Sequence, residues 1–382
     1  MKYNFDLLAK RKNTNCVKYD AHQTTLPMWV ADMDFLLAPR IAEAIQKDLD
    51  IGAIGYSMVP PEYFDAFVDF YRDRFGTDFT REHMVYVSGV VASIDSMFRL
   101  LTKPGDNIVM LSPIYHTFYS CIKNYKCNAL TSELILNDGQ YSIDWEDLEN
   151  KLKEDHSHIL LLCNPHNPVG KIFTKEELQR IDELAIKHNV LVISDEIHGL
   201  LTSPGKQYVP YSNIAKGKYV VCTATSKAFN LAGLQSAVVI CKDDELRNRL
   251  QDAFYEDDIG EPNYFAVNAN IAAFQSGDWL DELNQYIYNN KIYFKDYIER
   301  NIPEFKVIWS DATYMMWVDV RKYTKDSKHF TELMNQKVGL LVCPGIQFGN
   351  GGEGFFRINL ATSLSNVKDA CHRLATFIKE YF

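Results

Sequence analysis

Short, unbroken apolar runs alternate with segments of helical spacing through the middle of the chain. The runs are Val85–Val87, Ile108–Leu111, His158–Cys163, Val190–Ser194, Tyr219–Thr223 and Ala237–Cys241, with helical spacing over Val91–Leu101 and Lys175–His188. Runs this continuous suit strands buried on both faces. The pattern therefore predicts an α/β architecture, a mostly parallel sheet sandwiched by helices. Ahead of it, the chain to about residue 35 lacks periodicity, Pro39–Leu49 has helical spacing, and Gly52–Pro61 has the Gly and Pro content of a loop. Glu62–Phe75 reads as an amphipathic helix with Phe64, Phe67, Val68 and Tyr71 on one face. Downstream, Asn270–Arg300 reads as one long helix or two. Strand-like Phe305–Val320, Val338–Cys343 and Phe356–Leu360, with a closing helix over Leu364–Tyr381, predict a smaller α+β domain. The expected division is an N-terminal segment 1–50 joining the small domain, a large domain 51–285 and a small domain 286–382.

Composition narrows the function classes. The 382 residues are 47% apolar and 24% charged, an ordinary globular balance, and the length suits a two-domain α/β enzyme. A formal charge of −10 argues against a nucleic-acid partner, which would want a basic face. No apolar run approaches the ~18–20 residues of a membrane span. The first residues lack the apolar core of a secretion signal, and the eight cysteines form no C-x-x-C pair. Reduced thiols, a cytoplasmic location and no zinc or iron–sulfur site are the resulting expectations.

In a parallel sheet, ligands bind beyond the carboxyl ends of the strands, so the polar residues after each run carry the chemistry. Lys227 follows the Tyr219–Thr223 run. It is either an ordinary solvated amine or a withdrawn one suited to covalent chemistry. After His158–Cys163 comes Asn164-Pro165-His166-Asn167-Pro168. The Asn-Pro steps force extended or turn backbone, in a plain turn or as a rigid mount for Asn side chains. Asp195 ends the Val190–Ser194 run, where a carboxylate must be paired by a cationic N–H of a ligand, an internal ion pair or a helix N-cap. His198, three residues on, is a ligand contact or a satisfied core histidine. Ser88-Gly89-Val90-Val91 opens a helix, where free backbone amides favour a phosphate. Arg357, inside the Phe355–Ala361 strand, needs a carboxylate or phosphate, either from substrate or from an internal Asp or Glu. The glycine-rich Gly349–Gly354 reads as a flexible loop ahead of it.

The order of these features resembles the fold-type I pyridoxal-phosphate enzymes of the class I/II aminotransferase family, over nearly the whole chain. Pro27–Phe35, Asn164–Pro168, Ser194–His198 and Ser226–Gly233 resemble its cystathionine β-lyase, or C–S lyase, branch. The resemblance implies an aspartate-aminotransferase-like fold and pyridoxal 5'-phosphate as cofactor. Lys227 would hold the cofactor as a Schiff base, Asp195 would pair with its ring nitrogen and Asn167 would bond its phenolic oxygen. Tyr115 and Ile197 would flank the ring, and His198 stands where aminotransferases carry a Tyr. The Val90 and Val91 amides and Ser226 would hold the phosphate. Tyr56 would reach the phosphate of a neighbouring subunit, implying a homodimer with shared active sites. Arg357, with the Ala31 backbone and Tyr56, would bind the substrate. Two positions depart from the aminotransferase pattern: Ala224 replaces a Ser and Gln235 an Arg, with Thr223 or Thr225 as substitute phosphate ligands.

The implied activity is β-elimination from cystathionine or another S-substituted L-cysteine, giving a thiol, pyruvate and ammonia. Lys227 moves the α-proton, and Lys227 or Tyr115 protonates the leaving sulfur. An aminotransferase using the same residues is the alternative, and a regulatory protein that has kept the fold is a third reading.

Overall fold

The structure, a computed structural model, describes residues 2–382. Among these residues the principal sheet has seven strands. In spatial order they are Met84–Val87, Ala237–Ile240, Tyr219–Thr223, Leu191–Asp195, Ser157–Cys163, Asn107–Ser112 and Asn128–Glu133. Ala237–Ile240 runs antiparallel to both its neighbours, and the remaining pairings are parallel. The architecture is thus α/β with a mixed, mostly parallel sheet.

Alternation along each strand divides the core into two layers. Leu160 and Leu162 join one apolar cluster, while Ile159, Leu161 and Cys163 join the other. Val109 and Leu111 oppose Ile108 and Met110 in the same way. Successive side chains of a strand point to opposite faces, so a run that is apolar at every position requires cover on both. The helix Val90–Leu101 covers one face through Ile94, Met97 and Phe98. Lys175–Lys187 covers the other through Leu178, Ile181 and Leu184, and a reciprocal Thr174–Glu177 capping box starts it.

A second sheet, in the order Lys306–Ile308, Met315–Asp319, Phe355–Asn359 and Cys343–Pro344, is antiparallel at each pairing. With helices Ser327–Val338 and Leu364–Tyr381 it builds a third apolar cluster, which includes Leu26 and Met28 from the start of the chain. Leu26–Pro27 pairs in parallel with Leu340–Leu341.

Several local expectations are corrected. The helix Pro61–Phe75 buries Tyr63, Phe67, Phe70 and Tyr71, whereas Phe64 and Val68 lie at the half-buried margin. Of the two readings of the long helical stretch, the second holds, with helices Ala266–Phe274 and Gly277–Asn301 broken at Gln275–Ser276. Val338 ends a helix rather than opening a strand, because the chain turns at Gly339 with φ +65°. The strand Asn128–Glu133 lies at the sheet edge with half its residues exposed, so it carries no apolar run. Thr117–Asn124, Trp145–Leu152 and Asp244–Glu256 are further helices. The cysteines Cys163, Cys222 and Cys241 are buried within the apolar layers, and all eight are free. No helix among the described residues is long and apolar enough to cross a membrane.

The glycine-rich stretch before Arg357 is packed rather than slack. A Cβ at Gly345 would stand 1.9 Å from the Gly352 carbonyl oxygen, and one at Gly352 would stand 2.1 Å from that of Gly345. Backbone lies against backbone here, so neither side can yield by rotamer change. Gly345→Ala is expected to lower stability by about 1–3 kcal/mol. Chemical denaturation checks this, with Asn350→Ala, at an exposed position of the same loop, as the control.

Candidate active site

The parallel strands and Met84–Val87 end at one edge of the sheet, and the loops leaving that edge enclose a cavity of about 330 Å³. Val87 leads into Ser88–Val91, Ser112 into Tyr115, Cys163 into Asn167, and Thr223 into Ser226 and Lys227. Asp195 ends its own strand. Because Ala237–Ile240 runs the other way, Gln235 and Ser236 precede its start at the same edge and also line the cavity. One topological fact thus gathers residues separated by more than a hundred positions.

Lys227 is half-buried and opens onto this cavity. Its Nζ donates to the Ala31 carbonyl oxygen at 2.8 Å. Burial lowers its pKa, opposed by the charge of Asp32. The carbonyl is held firmly. Asn359 Nδ2 donates to the carbonyls of Val30 and Asp32 on either side, each at 2.6 Å. Asn230 and Met33 exchange two bonds, Met33 N–H to Asn230 Oδ1 at 3.0 Å and Asn230 Nδ2 to the Met33 carbonyl at 2.9 Å. The second clamp joins the lysine loop directly to the N-terminal segment. Nearby, the buried Lys18 pairs with Asp34 at 2.7 Å and Arg11 with Asp32 at 2.6 Å.

Asp195 is buried, and its Oδ1 accepts the Ile197 N–H at 3.1 Å in a local turn. It has no ion-pair partner among the described residues, which removes the internal ion pair from its alternatives. Burial pushes its pKa up to about 7. The neighbouring Glu196 is also buried, with its pKa raised to about 7 by burial, but it points the other way. Its carboxylate accepts from the Tyr211 N–H at 2.8 Å, Ser194 Oγ at 3.0 Å and Asn164 Nδ2 at 3.2 Å. Glu196 therefore ties the Asp195 loop to the Asn-Pro loop. His198 is no satisfied core histidine: its Nδ1 is buried without a partner, and burial lowers its pKa to about 3.

Arg357 is held by neutral groups. Nη1 donates to Asn167 Oδ1 at 3.0 Å and Nη2 to the Trp29 carbonyl at 3.1 Å, and the guanidinium lies 4.8 Å over the Phe348 ring. Its Nε is buried without a partner, and no carboxylate pairs with it among the described residues. A buried guanidinium with neutral partners and a spare donor is suited to an incoming carboxylate.

Of the residues singled out in the sequence, Ala31, Val90, Val91, Tyr115, Asn167, Asp195, Ile197, His198, Ser226 and Lys227 line the one cavity, with Arg357 bonded to Asn167 behind it. Tyr56 does not join them. It is 100% exposed in the segment carrying the exposed Ile51, Ile54 and Met58. The substitute phosphate ligands are corrected: Thr223 Oγ1 donates to the Glu196 carbonyl at 3.2 Å, and Thr225 bonds Asn270. Both hydroxyls are committed away from the cavity. Asn230, Asn359 and Glu196 were not singled out. Asn230 and Glu196 sit inside quoted motifs, but only the tertiary contacts reveal what they hold.

The donor set fits the pyridoxal phosphate that the resemblance implies. An amine, a partnerless buried carboxyl that a cationic ring N–H would pair, and a helix start with free amides all face one space. A family model described as aminotransferase class I and II matches residues 15–374. The chain is 35% identical over 381 residues to cystathionine beta-lyase PatB of Bacillus subtilis (strain 168), covering 97% of this chain and 98% of that one. Cystalysin from Treponema denticola, whose structure contains a pyridoxal 5'-phosphate cofactor, superposes with a TM-score of 0.95 at 33% identity, covering 100% of both chains. The PLP-bound C-S lyase from Staphylococcus hominis superposes with a TM-score of 0.92 at 29% identity, covering 98% of this chain and 97% of that one.

The raised Asp195 pKa has a signed consequence for the cofactor-free chain. Between the ordinary carboxyl value of 3.8 and about 7, the folded chain keeps a proton that the unfolded chain releases. Stability is therefore lost as pH rises through that window. Asp195→Asn cannot ionise and should escape this loss. The cofactor-free variant is expected to melt roughly 2–4 °C above the unsubstituted chain at pH 8 and level with it near pH 4, as read by thermal unfolding at both values.

Proposed function

Since the chain belongs to the aminotransferase class I and II family, we propose that it is a pyridoxal 5'-phosphate-dependent carbon–sulfur β-lyase. Its substrates are cystathionine or other S-substituted L-cysteines, and its products a thiol, pyruvate and ammonia. The carrying observation is the shared cavity of Lys227 and Asp195, backed by an Arg357 with no carboxylate partner among the described residues. The full-length similarity to a cystathionine beta-lyase supports the branch.

Bound in this cavity, the cofactor supplies an electron sink for the carbanion formed at the substrate Cα. The residues supply the rest. Lys227 would attach the cofactor through Nζ. The Asp195 carboxylate would pair with the ring nitrogen, and its ionised form is then favoured by the opposite charge. Asn167 has its Oδ1 committed to Arg357, which leaves its Nδ2 to donate to the phenolic oxygen. Tyr115 and Ile197 would flank the ring, with His198 neutral beside it. The Val90 and Val91 amides and Ser226 would hold the phosphate.

Arg357 would take the substrate α-carboxylate, orienting the Cα–H toward Lys227. Once free, Lys227 Nζ accepts the α-proton, a role that its lowered pKa assists. The Cβ–S bond then breaks with both electrons passing to sulfur. Lys227 Nζ or the Tyr115 hydroxyl returns a proton to the thiolate. The released enamine hydrolyses in water to pyruvate and ammonia.

The same reading divides the chain into an N-terminal segment 1–50, a large domain 51–285 and a small domain 286–382. The separate apolar cluster around the second sheet supports it. It also makes the protein a cytoplasmic homodimer. The exposed Ile51, Ile54, Tyr56 and Met58 form an apolar stretch that a second copy would cover. The partner subunit's Tyr56 would complete the phosphate and substrate contacts.

Lys227→Ala is expected to lower turnover by about 10⁴-fold or more and to abolish the absorption of the lysine-bound cofactor. Arg357→Ala is expected to lower kcat/KM by roughly 10–150-fold, mainly through KM. The deciding assay is pyruvate release from cystathionine or an S-alkyl cysteine with no keto acid added. Turnover that requires a keto-acid acceptor would make the protein an aminotransferase instead.

A further inference from the structure

A second group of ligating side chains lies at the opposite edge of the principal sheet. There Asn107–Ser112 and Ser157–Cys163 begin side by side, with Asn107 in register with Ser157. Asp106 precedes the first strand, His156 precedes the second, and His158 lies one residue inside it. One ligand atom from each of the three lies within 4.8 Å of the others. His156 Nδ1 stands 3.8 Å from Asp106 Oδ1, and the two imidazole rings are 6.4 Å apart at 81°.

The backbone around these groups is fixed. Asp106 Oδ2 accepts the Lys103 N–H at 2.7 Å, which leaves Oδ1 turned toward His156. The Asn107 N–H donates to the His156 carbonyl at 2.9 Å, and Asn107 Nδ2 to the Asp155 carbonyl at 3.0 Å. The segment carrying the carboxylate and the segment carrying the histidines are therefore joined directly. The Lys103 N–H bond that orients the Asp106 carboxylate is the kind of outer support that metal ligands use.

We propose that Asp106, His156 and His158 bind one divalent transition-metal ion of the Zn²⁺, Co²⁺ or Ni²⁺ type. Two imidazoles and one carboxylate are a borderline donor set, which selects these ions over Mg²⁺ or Ca²⁺. With metal–ligand bonds of about 2.0–2.2 Å, tetrahedral ligands stand roughly 3.3–3.5 Å apart. The three groups need to close by roughly 1.5 Å at most, and the exposed His156 and His158 are free to turn by that amount. Water completes the coordination. The ion would tie together the starts of two central strands, far from the cavity at their ends. Its effect falls on stability and not on turnover. The cysteine spacing gave the expectation of no zinc site, and this proposal departs from it through a cluster that uses none of the cysteines.

The test is titration of the cofactor-loaded protein with Co²⁺ in thiol-free buffer, alongside His156→Asn/His158→Asn and Cys16→Ser/Cys127→Ser. The last pair removes the two cysteines that are not buried. The unsubstituted protein is expected to bind one equivalent without a sulfur-to-cobalt charge-transfer band and to melt higher with the ion. The double histidine variant should lose both effects while keeping its turnover, and the cysteine variant should keep both. His156→Asn alone should weaken binding by about 10-fold or more. No saturable equivalent in the unsubstituted protein would overturn the proposal. So would an equivalent that survives loss of both histidines or disappears with the cysteines.

Discussion

An amine drawn out of bulk water must be given a partner that leaves it reactive. Lys227 meets that demand with a neutral one, the Ala31 carbonyl, rather than a carboxylate. A carboxylate in hydrogen-bond contact would stabilise the ammonium form, whereas a carbonyl satisfies a proton without adding a charge. The surrounding structure serves this contact. Asn359 fixes the carbonyls on both sides of Ala31, and Asn230 joins the lysine loop to Met33. Asp32, whose charge acts on Lys227, is paired with Arg11, and the adjacent Asp34 with Lys18. The N-terminal segment thus holds Lys227 in place although it lies nearly two hundred positions from the lysine.

The same economy of charge holds around Arg357. Its bonds go to an amide oxygen, a backbone carbonyl and an aromatic face, none of which neutralises it. One bond to Asn167 links it to the loop that faces the cofactor position. A guanidinium and a carboxyl, Asp195, are therefore both kept without ionic partners in one small region. Such a region is costly in an empty cavity and is relieved when ligands bring the opposite charges. That cost is local evidence for ligands, and it does not depend on any likeness to other proteins.

The strand framework and the principal side chains were legible in the sequence. Continuous apolar runs survive as the buried strands, and the polar residue after each run falls at the cavity because parallel strands share one carboxyl edge. What escaped was tertiary. Asn128–Glu133 is half exposed, so its edge position hides it from a search for apolar runs. Phe64 and Val68 were placed on the buried face of their helix, but the true face is turned toward Tyr63 and Phe70 because the sheet and Ala266–Phe274 lie on that side. Glu196, next to Asp195, carries no signal in the sequence that separates it from its neighbour, and only the structure shows it accepting from Tyr211, Ser194 and Asn164. Asn230 and Asn359 have no periodicity to betray them, since their partners lie far along the chain.

The phosphate end of the cavity carries the clearest departure from the aminotransferase pattern. Gln235 occupies the place of an arginine, and the hydroxyls of Thr223 and Thr225 are committed elsewhere. Among the cavity-lining residues only Lys227 is cationic. A phosphate held here would rest on the amides at the start of Val90–Leu101 and on Ser226. A helix terminus supplies about half a unit charge against the phosphate dianion. The remaining negative potential would raise the affinity of the cavity for protons. It would oppose the burial that lowers the Lys227 pKa. Arg357, proposed above to take the substrate carboxylate, reaches this cavity through its bond to Asn167, and no carboxylate among the described residues pairs with it, so its charge stays available to an incoming anion.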